Sequence, residues 1–290
     1  CGIVSSSGLR SPVGTGPSST SSGEGERVDL GLEGKVALVT GASKGMGKAC
    51  AMGLASEGAR VAVCARTETD LAATAAEIRQ KTKAEVLAVR ADVTQLEEIR
   101  QAVKTTVEAF GGIAILVNNT GGPPPGGFDQ LSDAQWQSAF ELTLLSSVRL
   151  IREVLPHMRA TRWGRIVSIQ SSSVKEPIDG LILSNGVRPG VVGLSKTLAT
   201  ELGKDNITIN TVCPGRILTD RLRRLMGIRA QQAGKSLQAY LPDATADIPL
   251  GRIGSPEEFA NVVLFLASER ASYVTGVTVQ VDGGLIRGLL

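Results

Sequence analysis

KVALVTGASKGMG, residues 35–47, decides how this chain folds. Its first half, through Thr40, is a run of apolar and β-branched residues that reads as a buried strand. Its second half is a turn punctuated by Gly41, Gly45 and Gly47, and a helical pattern follows through KGMGKACAMGLASEGA. Glycines there let the backbone turn tightly and approach a pyrophosphate, whose charge is favoured at the N-terminus of the next helix. The same pattern also describes an ordinary strand-to-helix turn, so its context has to decide.

The context is a repeated alternation. RVAVCAR (60–66), EVLAVRADV (85–93), AILVNN (114–119), GRIVSIQS (164–171), ITINTVCPG (207–215) and GVTVQVDGG (276–284) read as six further strands, with helical patterns between them. The longest of these helices is expected over DAQWQSAFELTLLSSVRLIREVLPHM (133–158). Apolar strands separated by helices indicate a parallel sheet covered on both faces. The expected fold is therefore α/β, a Rossmann-like doubly wound sandwich with a seven-stranded parallel sheet. It occupies residues 30–290 as a single domain. Residues 1–29, rich in Ser, Gly and Pro without apolar periodicity, are expected to be a disordered tail.

Composition narrows the partners. Of the 290 residues, 42% are apolar and 20% charged, and the net charge is +3, which suits one large globular domain. No cluster of Lys and Arg with interleaved aromatics supports a nucleic-acid partner. No apolar run approaches the roughly 18 residues of a membrane span. The four cysteines, Cys1, Cys50, Cys64 and Cys213, lack paired spacing, and three lie in apolar runs as expected buried thiols, which fits a cytoplasmic setting. No residue cluster suggests a metal site.

TGASKGMG after the first strand, NNTG (118–121) after the fourth, PGRILT (214–219) after the sixth and VTGVTVQVDGG near the end occur in one order. With these motifs the chain resembles the short-chain dehydrogenase/reductase family, over about residues 31–286. It looks closest to the ketoacyl-acyl-carrier-protein reductase-like branch. The resemblance implies a nicotinamide dinucleotide cofactor, a small carbonyl or alcohol substrate, a substrate lid around 221–248, and a homodimer or homotetramer.

Cofactor choice is argued from charge. A dinucleotide lacking the 2′-phosphate is usually held by an acidic residue after the second strand. Here CART offers Arg66 instead, and Lys44 inside the glycine turn adds a second cation, so NADP(H) is expected. The alternative is that both are solvated surface residues. The resemblance assigns the phosphate-side turn to Gly41, Ser43, Lys44, Gly45, Met46 and Gly47, and adenine contacts to Asp92 and Val93. Asn118, Asn119 and Gly121 match the ribose side. Pro214, Gly215, Ile217 and Thr219 belong to the motif after the sixth strand, with Ile217 and Thr219 matching the carboxamide contacts. For Asn118 a role tying adjacent strands stands equally open.

The catalytic positions depart from the family. Its substrate-orienting Ser falls at Ser171, although Ser172 and Ser173 follow and a register shift of one is open. Its Tyr, thirteen residues on, falls at Ser184, its Lys, four further, at Arg188, and its helical Asn at Thr143, seven after Trp136. A serine hydroxyl is a far weaker acid than a phenol, and a guanidinium does not relay protons at neutral pH. Arg188 could instead hold the nicotinamide ribose or an anionic group. Ser184, with Asn185, is either a helix cap or a substrate contact, and Pro189 places the helix start near here. Water, Lys175 or Tyr240 are the candidates for proton delivery, while Tyr273 and His157 read as structural and surface residues. The expected function is an NADP(H)-dependent oxidoreductase with an atypical catalytic site. The alternative is a non-redox protein on the same scaffold, a lyase, isomerase or NADP(H)-binding sensor.

Overall fold

The computed structural model describes residues 28–289, so nearly all of the expected tail, and Cys1 with it, lies outside the described residues. The strands are β1 (Val36–Thr40), β2 (Arg60–Ala65), β3 (Val86–Arg90), β4 (Ile115–Asn118), β5 (Gly164–Ile169), β6 (Ile207–Pro214) and β7 (Thr278–Val281). The helices between them are α1 (Gly45–Ser56), α2 (Glu68–Thr82), α3 (Leu96–Phe110), α4 (Asp133–Phe140), α5 (Ser146–Thr161), α6 (Ile182–Leu202), α7 (Asp220–Gln232), α8 (Leu237–Tyr240) and α9 (Pro256–Ala267). All seven strands pair in parallel in the order β3-β2-β1-β4-β5-β6-β7.

Alternation along each strand builds two cores. Ala37 and Val39 of β1 join α1 and α9 on one face, through Cys50, Leu54, Phe259 and Val263. Val36 and Leu38 join α3, α5 and α6 on the other, through Ile99, Val103, Leu150, Val154 and Leu202. Because both faces are covered, the strands read as unbroken apolar runs rather than as alternating ones. The order reverses between β1 and β4, and the crevice at their carboxyl ends is where a doubly wound sheet binds ligands.

Three expectations are corrected. The long helix is not uniform: α4 passes through a π-helical segment, Glu141–Leu145, before α5, and Thr143 sits in that segment. Helix α6 starts at Ile182 rather than near Pro189, and Pro189 lies inside it. Pro189 has no N–H to give the carbonyl one turn back, yet Leu183, Val187 and Val191 on either side are buried, and packing carries the helix through. Ser184 is accordingly inside the helix and caps nothing. His157 is half-buried rather than on the open surface, whereas Tyr273 is fully exposed. Cys50, Cys64 and Cys213 are buried free thiols, as expected. Among the described residues no helix is long and apolar enough to cross a membrane, and no His/Cys/Asp/Glu group could hold a metal.

Candidate active site

The glycine turn is held by its neighbours. Gly41 and Gly45 both have φ +57°, a left-handed backbone that side chains resist. A Cβ on Gly41 would lie 2.6 Å from the Asn119 Nδ2, and one on Gly47 would collide with the Gly41 carbonyl. Asn119 donates from Nδ2 to that carbonyl (3.1 Å), and Thr40 Oγ1 bonds the Asn119 backbone at 2.8 and 2.9 Å. Asn119 therefore ties the ends of β1 and β4. The buried Asn118 amide has no hydrogen-bond partner, so the strand-tying role left open for it belongs to the next residue. Thr74 Oγ1 secures the other side of the turn by donating to the Ser43 carbonyl at 2.7 Å.

The turn opens onto a cleft of 1370 Å³ at the carboxyl ends of the strands. Gly41, Lys44, Gly45, Met46, Asn119, Gly121, Pro214, Gly215 and Thr219 line it, and so do Ser171, Ser184 and Arg188. Helix α1 carries no acidic residue in its first turn, and Gly45 and Met46 at its start line the cleft, where a helix N-terminus favours an anion. These features fit a dinucleotide pyrophosphate. Thr219 caps α7, accepting from the Leu222 N–H at 3.3 Å, and a Cβ at position 45 would stand 3.1 Å from its Cγ2, a tight contact. The Ile217 side chain is in the core and does not face the cleft.

The two cations of the charge argument are both engaged. Lys44 Nζ lies 2.9 Å from Asp70, whose hydrogen bond and charge hold the ammonium above its ordinary range. Arg66, largely exposed just after β2, stands 4.0 Å from Asp92, which in turn accepts from Thr94. Val93 packs half-buried against the core.

The catalytic candidates fall into a hydrogen-bonded network. Strand β5 ends at Ile169, leaving Gln170 and Ser171 at the head of a loop, and Ser171 Oγ accepts from the Ser173 N–H at 3.1 Å. Ser173 Oγ and Ser184 Oγ are 3.0 Å apart. Arg188, one turn along α6, donates from Nε to Ser184 Oγ (3.0 Å) and from a terminal nitrogen to Gln170 Oε1 (3.1 Å). Arg188 is 6% exposed, and among the described residues no carboxylate pairs with it. Burial, helped by the charge of Arg221, pulls its guanidinium down to about 10. Asn185 faces away and clips the Ile178 backbone instead.

Thr143 is not part of this wall. It is buried with an unpartnered Oγ1, and its carbonyl accepts from Ser147. The π segment holding it packs closely on α6, where a Cβ at Gly190 would meet Leu144 at 3.0 Å and one at Gly186 would meet Trp136. Tyr240 lines the cleft, together with Arg221, Arg224 and Arg229 of the 221–248 segment. Lys175 does not. Gln170 and Ser173 were not singled out from sequence, although IQSSS places polar residues abruptly after an apolar strand.

Residues 41–286 match the family model described as enoyl-(acyl carrier protein) reductase. Over 258 residues the chain is 36% identical to 3-oxoacyl-[acyl-carrier-protein] reductase FabG of Aquifex aeolicus (strain VF5), covering 89% of this chain and all of that protein (100%). The chain belongs to the short-chain dehydrogenase/reductase family. Among solved structures, L-sorbose reductase from Gluconobacter frateurii, complexed with NADPH and L-sorbose, superimposes on this family member with a TM-score of 0.87 and 37% identity, over 90% of this chain and 100% of that one. An NADPH-bound short chain oxidoreductase from Pseudomonas aeruginosa PAO1 containing an atypical catalytic center matches with a TM-score of 0.82 and 31% identity, over 89% and 99% of the two chains. The relatives of this short-chain dehydrogenase/reductase are oxidoreductases.

Proposed function

We propose that this chain is an NADP(H)-dependent oxidoreductase acting on a carbonyl or alcohol group through an atypical site built on Ser171, Ser184 and Arg188. The observation that carries the reading is that the glycine turn and these three residues line one cleft. The solved relatives bound to NADPH support the cofactor.

Bound in this cleft, the nicotinamide would supply or accept a hydride. The turn from Gly41 to Gly47 would hold its pyrophosphate, and Arg66 with Lys44 its 2′-phosphate. Arg188 stands where the family resemblance puts a lysine, and its remaining donors would reach the ribose or a substrate anion.

The network prepares two hydroxyl donors. Ser184 Oγ takes a hydrogen bond from Arg188 and, with Ser173 as donor, a second from Ser173, which fills its acceptor capacity. Its own proton is then free for a substrate oxygen. Ser171 Oγ likewise accepts from a backbone N–H and has its proton to give. Two such donors aimed at one carbonyl oxygen polarise it without transferring a proton. The proton comes from water in the open cleft or from Tyr240 on its wall. A small-molecule substrate, a cytoplasmic setting and a homodimer or homotetramer complete the proposal; a monomeric mass by light scattering at micromolar concentration would remove its last element.

NADPH oxidation against a panel of ketones tests the function. Turnover is expected, and Ser171→Ala should lower kcat by about 10²-fold, the cost of one lost donor. Cofactor binding without turnover of any ketone or alcohol would instead favour the sensor.

A further inference from the structure

The 221–248 segment treats its cations in two ways. Its carboxylates take two cations: Asp247 is gripped by both terminal nitrogens of Arg216, which precedes the segment, and Asp243 holds Lys235 at 2.5 Å. The arginines that α7 turns into the cleft have no such partners. Arg221 lies against the backbone of Gly122, and among the described residues its guanidinium reaches only the Pro123 carbonyl, at 3.4 Å. Arg224, one turn on, pairs with no carboxylate among the described residues. Glu176, Asp179, Asp220, Asp243 and Asp247 line the same cleft, yet none comes within 4.0 Å of these guanidinium groups, and Asp243 and Asp247 are taken by Lys235 and Arg216.

Arg188, Arg221 and Arg224 are also neighbours. Beyond the effect of burial, Arg221 lowers the proton affinity of Arg188, and Arg224 lowers that of Arg221. Like charges filed along a partly enclosed wall repel one another more strongly than they would in open water. An anion placed between them would relieve that repulsion, and paired guanidinium groups suit the planar or tetrahedral oxygens of a carboxylate or phosphate.

We propose that the substrate taken by this cleft is a carbonyl compound carrying a carboxylate or phosphate, and that Arg221 and Arg224 hold the anionic group while the carbonyl meets Ser171 and Ser184. This rests on the oxidoreductase reading for the carbonyl end only; the anion end stands on the unpaired arginines. Leu222 and Leu225, on the same helix and in the same cleft wall, would cover the carbon skeleton between the two ends.

The test is calorimetric and needs no turnover. The NADPH-saturated protein, and separately the protein without NADPH, is titrated with acetoacetate against its methyl ester, and with dihydroxyacetone phosphate against dihydroxyacetone. At least one anion should bind tenfold or more tightly than its neutral partner, and which one does so separates carboxylate from phosphate. Arg221→Gln with Arg224→Gln should reduce that preference to under threefold while leaving NADPH affinity within threefold. Arg224→Lys should restore part of the preference in the single-site background. Should the double variant fail to fold, Arg224→Gln, at an exposed position, serves in its place. Equal binding of anion and neutral partner, no binding of either, or an unchanged preference in the variants overturns the proposal. So does a matching loss of NADPH affinity, which would assign the arginines to the cofactor. A protein that prefers the anion but never reduces it keeps this inference and sinks the oxidoreductase reading instead.

Discussion

Arg188 donates its Nε to Ser184 Oγ at 3.0 Å across one turn of α6, with both side chains buried and, among the described residues, no carboxylate on the guanidinium. Burying an unpaired cation is costly, and a fold retains it where its charge or its fork of donors is used. On the proposed reading, with Ser173 as donor to it, the serine serves as a hydrogen-bond donor toward the cleft rather than as an acid.

If only the acid is missing, installing Ser184→Tyr with Arg188→Lys should raise reduction of a simple activated ketone, by roughly 10²-fold, the usual scale of general acid catalysis. The readout is NADPH oxidation by the double variant against the parent. A parent that already turns over quickly and is unmoved by Ser171→Ala would place the proton path elsewhere.

The ion pairs at the adenosine end sharpen the cofactor expectation. NADPH should bind at least about tenfold more tightly than NADH, or about 1.4 kcal/mol. Lys44 must leave Asp70, 2.9 Å away, to meet a 2′-phosphate. Asp70→Asn should therefore strengthen NADPH binding by about three- to tenfold and leave NADH unchanged, while Arg66→Asp should erase the preference. Calorimetry with both nucleotides decides, and equal affinities in the parent would remove the charge argument.

Gly47→Ala tests the turn itself. Its new methyl would run into the Gly41 carbonyl, which is backbone and cannot swing aside. Overpacking of this kind costs about 1–3 kcal/mol, and it should appear as a lower urea midpoint together with loss of NADPH binding. A variant with parental stability and affinity would show that the turn has slack.

Alkaline pH should destabilise the fold through its thiols. Burial pushes Cys50 and Cys64 up to about 12 and Cys213 to about 11. Unfolded thiols ionise near 8.5. Each native thiol thus contributes stability that is whole below that pH and lost as pH rises through the folded value. The slope is about 1.4 kcal/mol per pH unit for each thiol. Urea midpoints should fall from pH 8 to pH 10, and Cys50→Ala should flatten the slope. An unchanged midpoint over that range would contradict the burial of the three side chains.

What the residues alone determined is whatever depends on neighbours along the chain. The β-branched runs at Val36–Thr40 and Ile207–Pro214 read as covered strands, and Gly41, Gly45 and Gly47 announce a tight turn because a left-handed backbone at the first two and the close approach of backbone at the third favour glycine. The pairing of Ser171, Ser184 and Arg188 in one wall also followed from order and spacing, through the family resemblance. What depends on distant parts meeting was settled only in three dimensions. Local rules start a helix at Pro189, but burial of Leu183 and Val187 begins it at Ile182. Lys44 looked free for a phosphate until Asp70, 26 residues on, came within 2.9 Å of it. Gln170 and Ser173 entered the site because β5 ends beside α6. The arginines of α7 acquired meaning because the fold faces them with an open cleft in which, among the described residues, no carboxylate pairs with Arg221 or Arg224, and side-chain pairing over such distances is a property of packing that no local pattern encodes.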